Sequence, residues 1–396
     1  MTPEQKPLTG VRVLDVATFV AAPFCATILA EFGAEVIKVE HPQGGDPMRR
    51  FGTATEEPDQ TLAWLSEARN KRSVTLDLKA PADAATFREL VRRADVVCEN
   101  FRPGTLEKWG LGWDTLQALN PALVLLRVSG YGQTGPYRDR PGFARIAHAV
   151  GGLTHLAGMP DGPPVTPGST SLADYISGLY GAVGVLLALR VAEATGVGQV
   201  VDVALFESIF RVLDELAPAY ASAGIVRARE GVGTRNACPH GHFQCADGKW
   251  VAIACTSDRI WARMAENVLM RPEFSASHPT TAARLADRPR IDALVEKFTA
   301  SMTATEVVAR CVEGDVPCGP VNTIADIFAD EHFAAREVLT KVMHDTLGTI
   351  EIPNVLPRLS RTPGEITQLG PRLGEANDTF LQQLLANDAE IRKVPR

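Results

Sequence analysis

The sequence predicts an α/β fold, with a doubly wound parallel sheet in a large domain and a smaller α+β domain after it. Three observations favour this fold. Over roughly the first 210 residues, short runs rich in β-branched residues alternate with helical stretches. Past that point the chain becomes rich in glycine and contains a hairpin signal, and short strands return near its end. Strands that alternate with helices are typical of βαβ units, in which the strands are parallel.

The first part of the chain supplies the predicted sheet. Its strands are expected at 11–16, 35–40, 73–78, 95–100 and 122–130. Between the first two strands, Pro23 lies where a helix can begin and Gly33 lies where it can end. Another helix is predicted over about 81–93. A ligand of such a sheet is expected at the carboxyl ends of its strands.

The smaller domain is predicted from the change in residue pattern. In "ADGKWVAIAC" an Asp-Gly pair is placed to close a hairpin. Helices are expected at 257–269, 281–301 and 304–314, and a last helix near 375–386. We therefore predict a large domain over 1–215, a small domain with its linkers over 216–325, and a return to the large domain over 326–396.

Composition excludes several classes of protein. The chain has 396 residues, 45% of them hydrophobic and 22% charged, and a net charge of −7, which argues against non-specific nucleic-acid binding. The start is polar, unlike a secretory leader, and the most apolar run, 178–192, is short for a membrane span. The seven cysteines are scattered without a C-x-x-C pair, which favours reduced thiols. We expect a cytoplasmic protein that has no metal site and does not bind a membrane.

One acidic residue is unusual for its position. The stretch "TSLADYISGLYGAVGVLLALRVAEATGVGQVVDVALFES" predicts a long buried helix and a strand, yet Asp174 lies near its start. A carboxylate there is stabilised by the helix dipole by about 0.3–1 kcal/mol, so Asp174 could be only a first-turn residue. The flanking residues are small and would let a bulky ligand approach. Asp174 could therefore also be a nucleophile toward a thioester, or a general base.

The remaining motifs limit the ligand. The first strand-to-helix turn lacks G-x-G-x-x-G and the chain lacks a P-loop, so a nicotinamide or flavin cofactor is not expected. Cationic residues lie around the third predicted strand, namely those of "RNKRS" (69–73) and Lys79, and Arg102 and Lys108 follow the fourth. They suit a phosphorylated ligand along the sheet edge, although solvated surface charges would look the same. The eight histidines show no metal-binding spacing.

Several motifs in register resemble the family III CoA-transferases, the group that includes formyl-CoA:oxalate and carnitine CoA-transferases. They run from residue 8 to about 322 and are "LTGVRVLDV", "LAEFGAEVIKVEHPQGGDPMR", "RNKRSVTLDLK", "ENFRPGTLEKWGLG", "VSGYGQTGP", "SLADYISGLYGAVGVLLALRVAEATGVGQVVDVALFES" and "VPCGPVN". The resemblance implies a Rossmann-like large domain made from both chain ends, a smaller domain between them, and an interlocked, ring-like homodimer. It implies no tightly bound cofactor, because the CoA thioester is a substrate.

The resemblance also implies residue roles. Asp174 is the nucleophile, and it forms first an anhydride with the donor acyl group and then a thioester with CoA. Contacts to CoA are implied for Phe19, Val20, Ala21, His41, Arg72, Leu76, Lys79, Asn100, Phe101, Arg102 and Lys108. Val20 replaces a glutamine of the oxalate-using members, which weighs against oxalate as substrate.

The acceptor implied is a C4–C5 dicarboxylate that takes CoA from succinyl-CoA. Itaconate is the expected acceptor, with citramalate, mesaconate, malate and glutarate as alternatives. Arg145 is the candidate partner of the second carboxylate, with His148 and Tyr175 beside it, although Arg145 could be a surface residue. Two other functions stay open. A 2-methylacyl-CoA racemase would need a second acid/base where this chain has Phe143, and a non-catalytic acyl-CoA binding protein would form no covalent adduct.

Overall fold

The computed structural model describes residues 6–387, which form two compact units. The first unit takes the chain up to Leu153, then Gly168–Glu215, and then the residues from Arg336 onward. The second unit takes Thr154–Pro167 and Leu216–Ala335. These bounds differ from the predicted domains in two places. A short segment before Gly168 belongs to the second unit, and the return to the first unit begins at Arg336 instead of residue 326.

The first unit contains a six-stranded parallel sheet in the order β3-β2-β1-β4-β5-β6. Its strands are β1 (Arg12–Asp15), β2 (Glu35–Glu40), β3 (Lys71–Thr75), β4 (Val96–Glu99), β5 (Val124–Ser129) and β6 (Val200–Ala204). The predicted α/β class and parallel sheet are confirmed. β3 begins two residues earlier than expected, because Lys71 and Arg72 pair with Val36 and Ile37 of β2. The central strands are buried on both faces, as is typical of parallel sheets.

Helices cover both faces of this sheet, as a doubly wound fold requires. The helices of the chain up to Phe210 are α1 (Ala21–Glu31), α2 (Leu62–Glu67), α3 (Pro81–Val91), α4 (Thr105–Lys108), α5 (Trp113–Leu119), α6 (Ala144–Val150), α7 (Leu153–Leu156), α8 (Leu172–Thr195) and α9 (Leu205–Phe210). One apolar core joins α1, α6, α8 and α9 to the sheet, and a second core joins α3, α5 and the helix α18 (Gln382–Ala386) to its other face. The predicted last helix begins as a π-helical turn over Asn377–Leu381.

The small residues of α8 allow it to pack closely inside the unit. A Cβ on Gly178 would lie 2.7 Å from the carbonyl oxygen of Ala21, and one on Gly181 would lie 3.0 Å from Leu126. Gly196 ends the helix in the left-handed conformation. Within residues 6–387, α8 is the one helix long and apolar enough to cross a membrane by length and composition. Since its small-residue face packs on α1 and β5, this helix has the character of a core helix.

The second unit is built on a three-stranded antiparallel sheet in the order β7-β8-β9. Its strands are β7 (His240–Gln244), β8 (Trp250–Ala254) and β9 (Cys318–Pro320), and the predicted hairpin is formed by the first two. Its helices are α10 (Leu216–Ala223), α11 (Asp258–Arg263), α12 (Pro272–Ser277), α13 (Thr281–Ala286), α14 (Arg288–Thr299), α15 (Ala304–Glu313), α16 (Ile324–Ala329) and α17 (Glu331–Ala335). The strands β10 (Leu339–His344) and β11 (Gly348–Pro353) then form a hairpin in the first unit.

Candidate active site

Asp174 lies in the first turn of α8 and lines a cavity of about 210 Å³ in the first unit. Its side chain is half-buried, and burial raises the pKa of its carboxyl to about 7. The cavity is also lined by the loops that follow β1, β4 and β5, which lie at the carboxyl edge of the sheet. The helix that sequence reasoning found therefore brings its acid to the edge where a doubly wound sheet binds ligands.

A second cavity of about 180 Å³ lies at the carboxyl ends of β1, β2 and β3. Its lining includes Lys38, His41, Leu76 and Lys79. It shares Thr18 and Phe101 with the cavity beside Asp174, so the two cavities are neighbours along one edge of the sheet. An extended molecule could occupy both, with one end at Asp174.

The structure brings most of the predicted CoA contacts to these two cavities. Phe19, Val20, Ala21, Asn100, Phe101 and Arg102 line the cavity of Asp174. His41, Leu76 and Lys79 line the second cavity, and the Lys79 ammonium lies 6.0 Å from the ring centre of Trp109 at its wall.

Two predicted CoA contacts lie elsewhere. Arg72 lines a separate cavity at the amino ends of β2 and β3, and its guanidinium lies 4.6 Å from the ring centre of Phe380. Lys108 is exposed at the end of α4 and lines neither of the two cavities. The contacts predicted for these two residues have no support from their position in this unit.

The three predicted substrate residues do not line the cavity of Asp174 either. Arg145 is exposed on α6. His148 is buried on the same helix and its Nε2 accepts the N–H of Ala173 over 3.0 Å. Tyr175 packs edge-to-face on Phe24, and burial raises the pKa of its hydroxyl to about 12. Their substrate contacts stay predictions.

Two arginines that the sequence analysis did not name line the cavity of Asp174. Arg138 and Arg140 follow β5 along the chain and form part of the cavity wall together with Phe143. The guanidinium of Arg140 lies 3.5 Å from the ring centre of Tyr137, which holds it by a cation–π contact. The motif "GPYRDRPGF" carried the signal, since it places two arginines in the segment between the predicted strand 122–130 and Arg145.

The loop after β1 is held in place by side chains from other strands. The Asn100 amide donates to the Thr18 carbonyl over 2.7 Å and accepts the Thr18 N–H over 2.8 Å. The Asp46 carboxylate accepts the N–H of Phe19 over 3.0 Å. Phe19 itself has a φ of 61°, a conformation that costs a bulky residue of order 1–3 kcal/mol. This loop, predicted to cover CoA, is therefore fixed in a strained conformation by its neighbours.

Beneath this loop lies a buried group of charges that the sequence analysis missed. The Lys38 ammonium lies 2.9 Å from an Asp46 oxygen and 3.5 Å from Asp15, and the Lys71 ammonium lies 2.9 Å from Asp15. Burial opposes the charge on Lys38, yet Asp15 and Asp46 raise its pKa above the ordinary value. Burial lowers the pKa of Lys71. Part of the signal was present, because Asp15 and Lys38 stand inside the predicted strands 11–16 and 35–40.

A second buried group supports the loop after β4. The carboxylate of Glu99 accepts the N–H of Phe101 over 2.7 Å and the Nε–H of Arg127 over 2.6 Å. Arg127 in turn binds Glu107 of α4. Burial raises the pKa of Glu99 to about 7 despite the nearby Arg127. Both cavity walls near Phe101 thus depend on paired, buried charges.

Comparison with known proteins identifies the family. The model of CoA-transferase family III matches residues 8–377 of the chain. The chain belongs to CoA-transferase family III. The predicted family and enzyme class are confirmed: this protein is a CoA-transferase, and a CoA thioester is its substrate.

Named relatives and a solved structure agree with this family. The chain is 58% identical to the "Succinyl-CoA--L-malate CoA-transferase beta subunit" of Chloroflexus aurantiacus, with 98% of each chain covered. It is 55% identical to the alpha subunit of the same name from that organism, over 98% of this chain and 91% of the relative. A crystal structure of a CAIB/BAIF family protein from Brucella suis superimposes with a TM-score of 0.84, at 32% identity, over 96% of this chain and 100% of the other.

The geometry of this CoA-transferase also bears on the racemase alternative. Phe143 lines the cavity of Asp174 and is 69% exposed. In the described residues, no histidine lines that cavity. A second acid/base for α-proton exchange is therefore lacking where the racemase resemblance would require it. Residues 6–387 also contain no cluster of three His, Cys, Asp or Glu side chains that could hold a metal ion.

Proposed function

We propose that this enzyme transfers CoA from succinyl-CoA to a dicarboxylate through a thioester on Asp174. The observation that carries the proposal is the position of Asp174, a half-buried acid on the cavity that adjoins the second cavity, where further predicted CoA contacts lie. L-malate is the favoured acceptor, because two relatives above 50% identity bear that name. Itaconate, the acceptor expected from the sequence, and citramalate, mesaconate and glutarate are its competitors.

The exchange proceeds through two acyl intermediates on one side chain. The Asp174 carboxylate attacks the carbonyl of succinyl-CoA, which forms a succinyl–aspartyl anhydride and releases the CoA thiolate. The thiolate attacks the aspartyl carbonyl, which forms the aspartyl–CoA thioester and releases succinate. A malate carboxylate then attacks that thioester, and the released thiolate attacks the malyl carbonyl of the new anhydride. Malyl-CoA leaves, and Asp174 is again a carboxylate.

The acceptor's second carboxylate requires a cation at the cavity wall. Arg140 lines the cavity, and within residues 6–387 its guanidinium contacts the Tyr137 ring but forms no ion pair. We therefore assign the distal carboxylate to Arg140, and Arg145 stays as the alternative predicted from the sequence. Arg140→Gln is expected to raise KM for L-malate about tenfold or more. Arg145→Gln is the matched comparison, and the assignment is reversed if only this variant raises KM.

The test of the reaction is direct. The protein is incubated with succinyl-CoA and each dicarboxylate, and new CoA thioesters are separated by chromatography and identified by mass spectrometry. With succinyl-CoA alone, the intact protein should gain one CoA less one water, and hydroxylamine should remove the adduct. Asp174→Ala should lose both signals, whereas Asp114→Ala, an exposed acid in the first turn of α5, should keep them. An active Asp174→Ala enzyme would overturn the mechanism.

We also propose that the enzyme assembles with a second copy of itself in the cytoplasm. On α8, Leu179, Val183, Leu187 and Val191 recur every fourth residue on one face, and each is exposed. An apolar stripe of this kind suits a partner surface. Size-exclusion chromatography with light scattering should give twice the chain mass. A stable monomer at micromolar concentration contradicts the proposal, and since two relatives are named as alpha and beta subunits, a requirement for a different chain would also contradict it.

A further inference from the structure

The start of α8 has no side-chain cap. Ser171 is the N-cap residue, but its side chain forms no capping hydrogen bond. The first N–H groups of a helix have no acceptor inside the helix and need one from elsewhere. Here the acceptor comes from α6. The Nε2 of His148 accepts a hydrogen bond from the N–H of Ala173, the residue directly before the nucleophile, over 3.0 Å.

We infer that His148 is a positioning residue that fixes the first turn of α8 and thereby the orientation of Asp174. The inference rests on the proposed function, in which the Asp174 carboxylate must meet a thioester carbonyl in line. The backbone N–H of Asp174 already donates to the Ser171 carbonyl over 2.9 Å. The bond from His148 fixes the peptide directly before it, so that two consecutive peptides leading into the attacking residue are held.

The chemistry of the ring agrees with this role and excludes another. His148 is 1% exposed, and its acceptor nitrogen Nε2 is occupied by Ala173. The ring proton is then on Nδ1, which is buried without a hydrogen-bond partner among the described residues. Burial and the nearby Arg145 lower the pKa of His148 and keep the ring neutral. A neutral, buried ring with its one acceptor in use orients the backbone and does not exchange protons with substrate.

Gln and Met have side chains of similar length, so two variants of His148 distinguish loss of the hydrogen-bond acceptor from loss of packing. In His148→Gln the amide oxygen can accept the Ala173 N–H, whereas in His148→Met no oxygen or nitrogen can. We expect His148→Met to form the enzyme–CoA thioester about 10- to 100-fold more slowly, because a small misplacement of a reacting group costs about that much. KM for succinyl-CoA should stay within about twofold, and His148→Gln should recover to within about threefold of the wild-type rate. His332→Met, on an exposed helix of the second unit, is the control.

Hydrogen exchange at 172–175 gives a readout that does not depend on activity. Faster exchange in His148→Met but not in His148→Gln supports the inference, and equal exchange in both overturns it. A wild-type protein that forms no thioester defeats the proposed function, while the exchange result still tests the helix contact. A wild-type thioester rate in His148→Met overturns the inference alone. If His148→Met does not fold, the inference is overturned by a His148→Gln enzyme that has wild-type stability but forms the thioester slowly.

Discussion

Replacing Asp174 by Asn should stabilise the protein, and the gain should grow with pH. Burial holds the pKa of Asp174 at about 7 in the folded chain, against an ordinary value of 3.8. The unfolded chain therefore loses this proton at a lower pH than the folded chain does. The carboxyl's contribution to stability is complete below about pH 4 and is lost as pH rises toward 7. Asn, which has no such proton, removes that loss.

The magnitude follows from the two pKa values. A rise from 3.8 to about 7 corresponds to roughly 4 kcal/mol at about 1.4 kcal/mol per pKa unit. Because the side chain is half-buried at a cavity wall, we expect about 2–4 kcal/mol. The gain of Asp174→Asn over wild type should be near zero at pH 4, rise steadily, and level off above pH 7.

Denaturant midpoints of the two proteins between pH 4 and pH 8 measure this gain. Asp114→Asn is the matched control, since it removes an exposed carboxylate from the first turn of α5. That change should alter stability by about 0.5 kcal/mol or less at every pH. A constant difference between wild type and Asp174→Asn would refute the reasoning, because it would mean that the Asp174 carboxyl ionises as freely in the folded chain as in the unfolded one.

Three further predictions concern activity and the buried charges. The kcat/KM for succinyl-CoA should rise with pH through about 7 as Asp174 ionises, and a flat profile from pH 5 to pH 8 would contradict this. Asn100→Leu, which loses both hydrogen bonds to Thr18, should raise KM for succinyl-CoA about tenfold in steady-state assays, and an unchanged KM would count against the loop's role. Lys38→Met leaves Asp46 buried without its cation, so the free energy of unfolding should fall by about 3–5 kcal/mol, and a loss below about 1 kcal/mol would show that the pair is dispensable.

The sequence predicted what depends on local pattern. Alternating strands and helices gave the parallel sheet, and the small residues of α8 with Asp174 in its first turn gave the candidate nucleophile. Contacts between distant segments could not be predicted. The ring of His148 reaches α8 only because α6 packs against that helix, and the segment 154–167 joins the second unit through contacts that no pattern within the segment displays.

The choice of the arginine that binds the second carboxylate of the acceptor acid shows the same limit of sequence-based prediction. Arg145 stands on a predicted helix beside the site in sequence, which made it the natural candidate, yet its side chain is exposed away from the cavity lining. Arg140 precedes that helix in an irregular loop, and its direction is set by the ring of Tyr137. A loop residue's direction depends on such contacts, so no periodicity could have chosen between the two.

Two separate sets of hydrogen bonds hold the site, one at the loop after β1 and one at the first turn of α8. Substitutions in the two sets should therefore affect different kinetic constants. Asn100 and Asp46 fix the loop after β1, which is predicted to lie over CoA, and so they act on thioester binding. His148 binds the first turn of α8, which carries the proposed nucleophile, and so it should act on the chemical step. The two sets share no hydrogen-bond partner in these contacts. The proposed covalent exchange needs both at once, because the thiolate released in the first step must remain beside the anhydride that it attacks in the second.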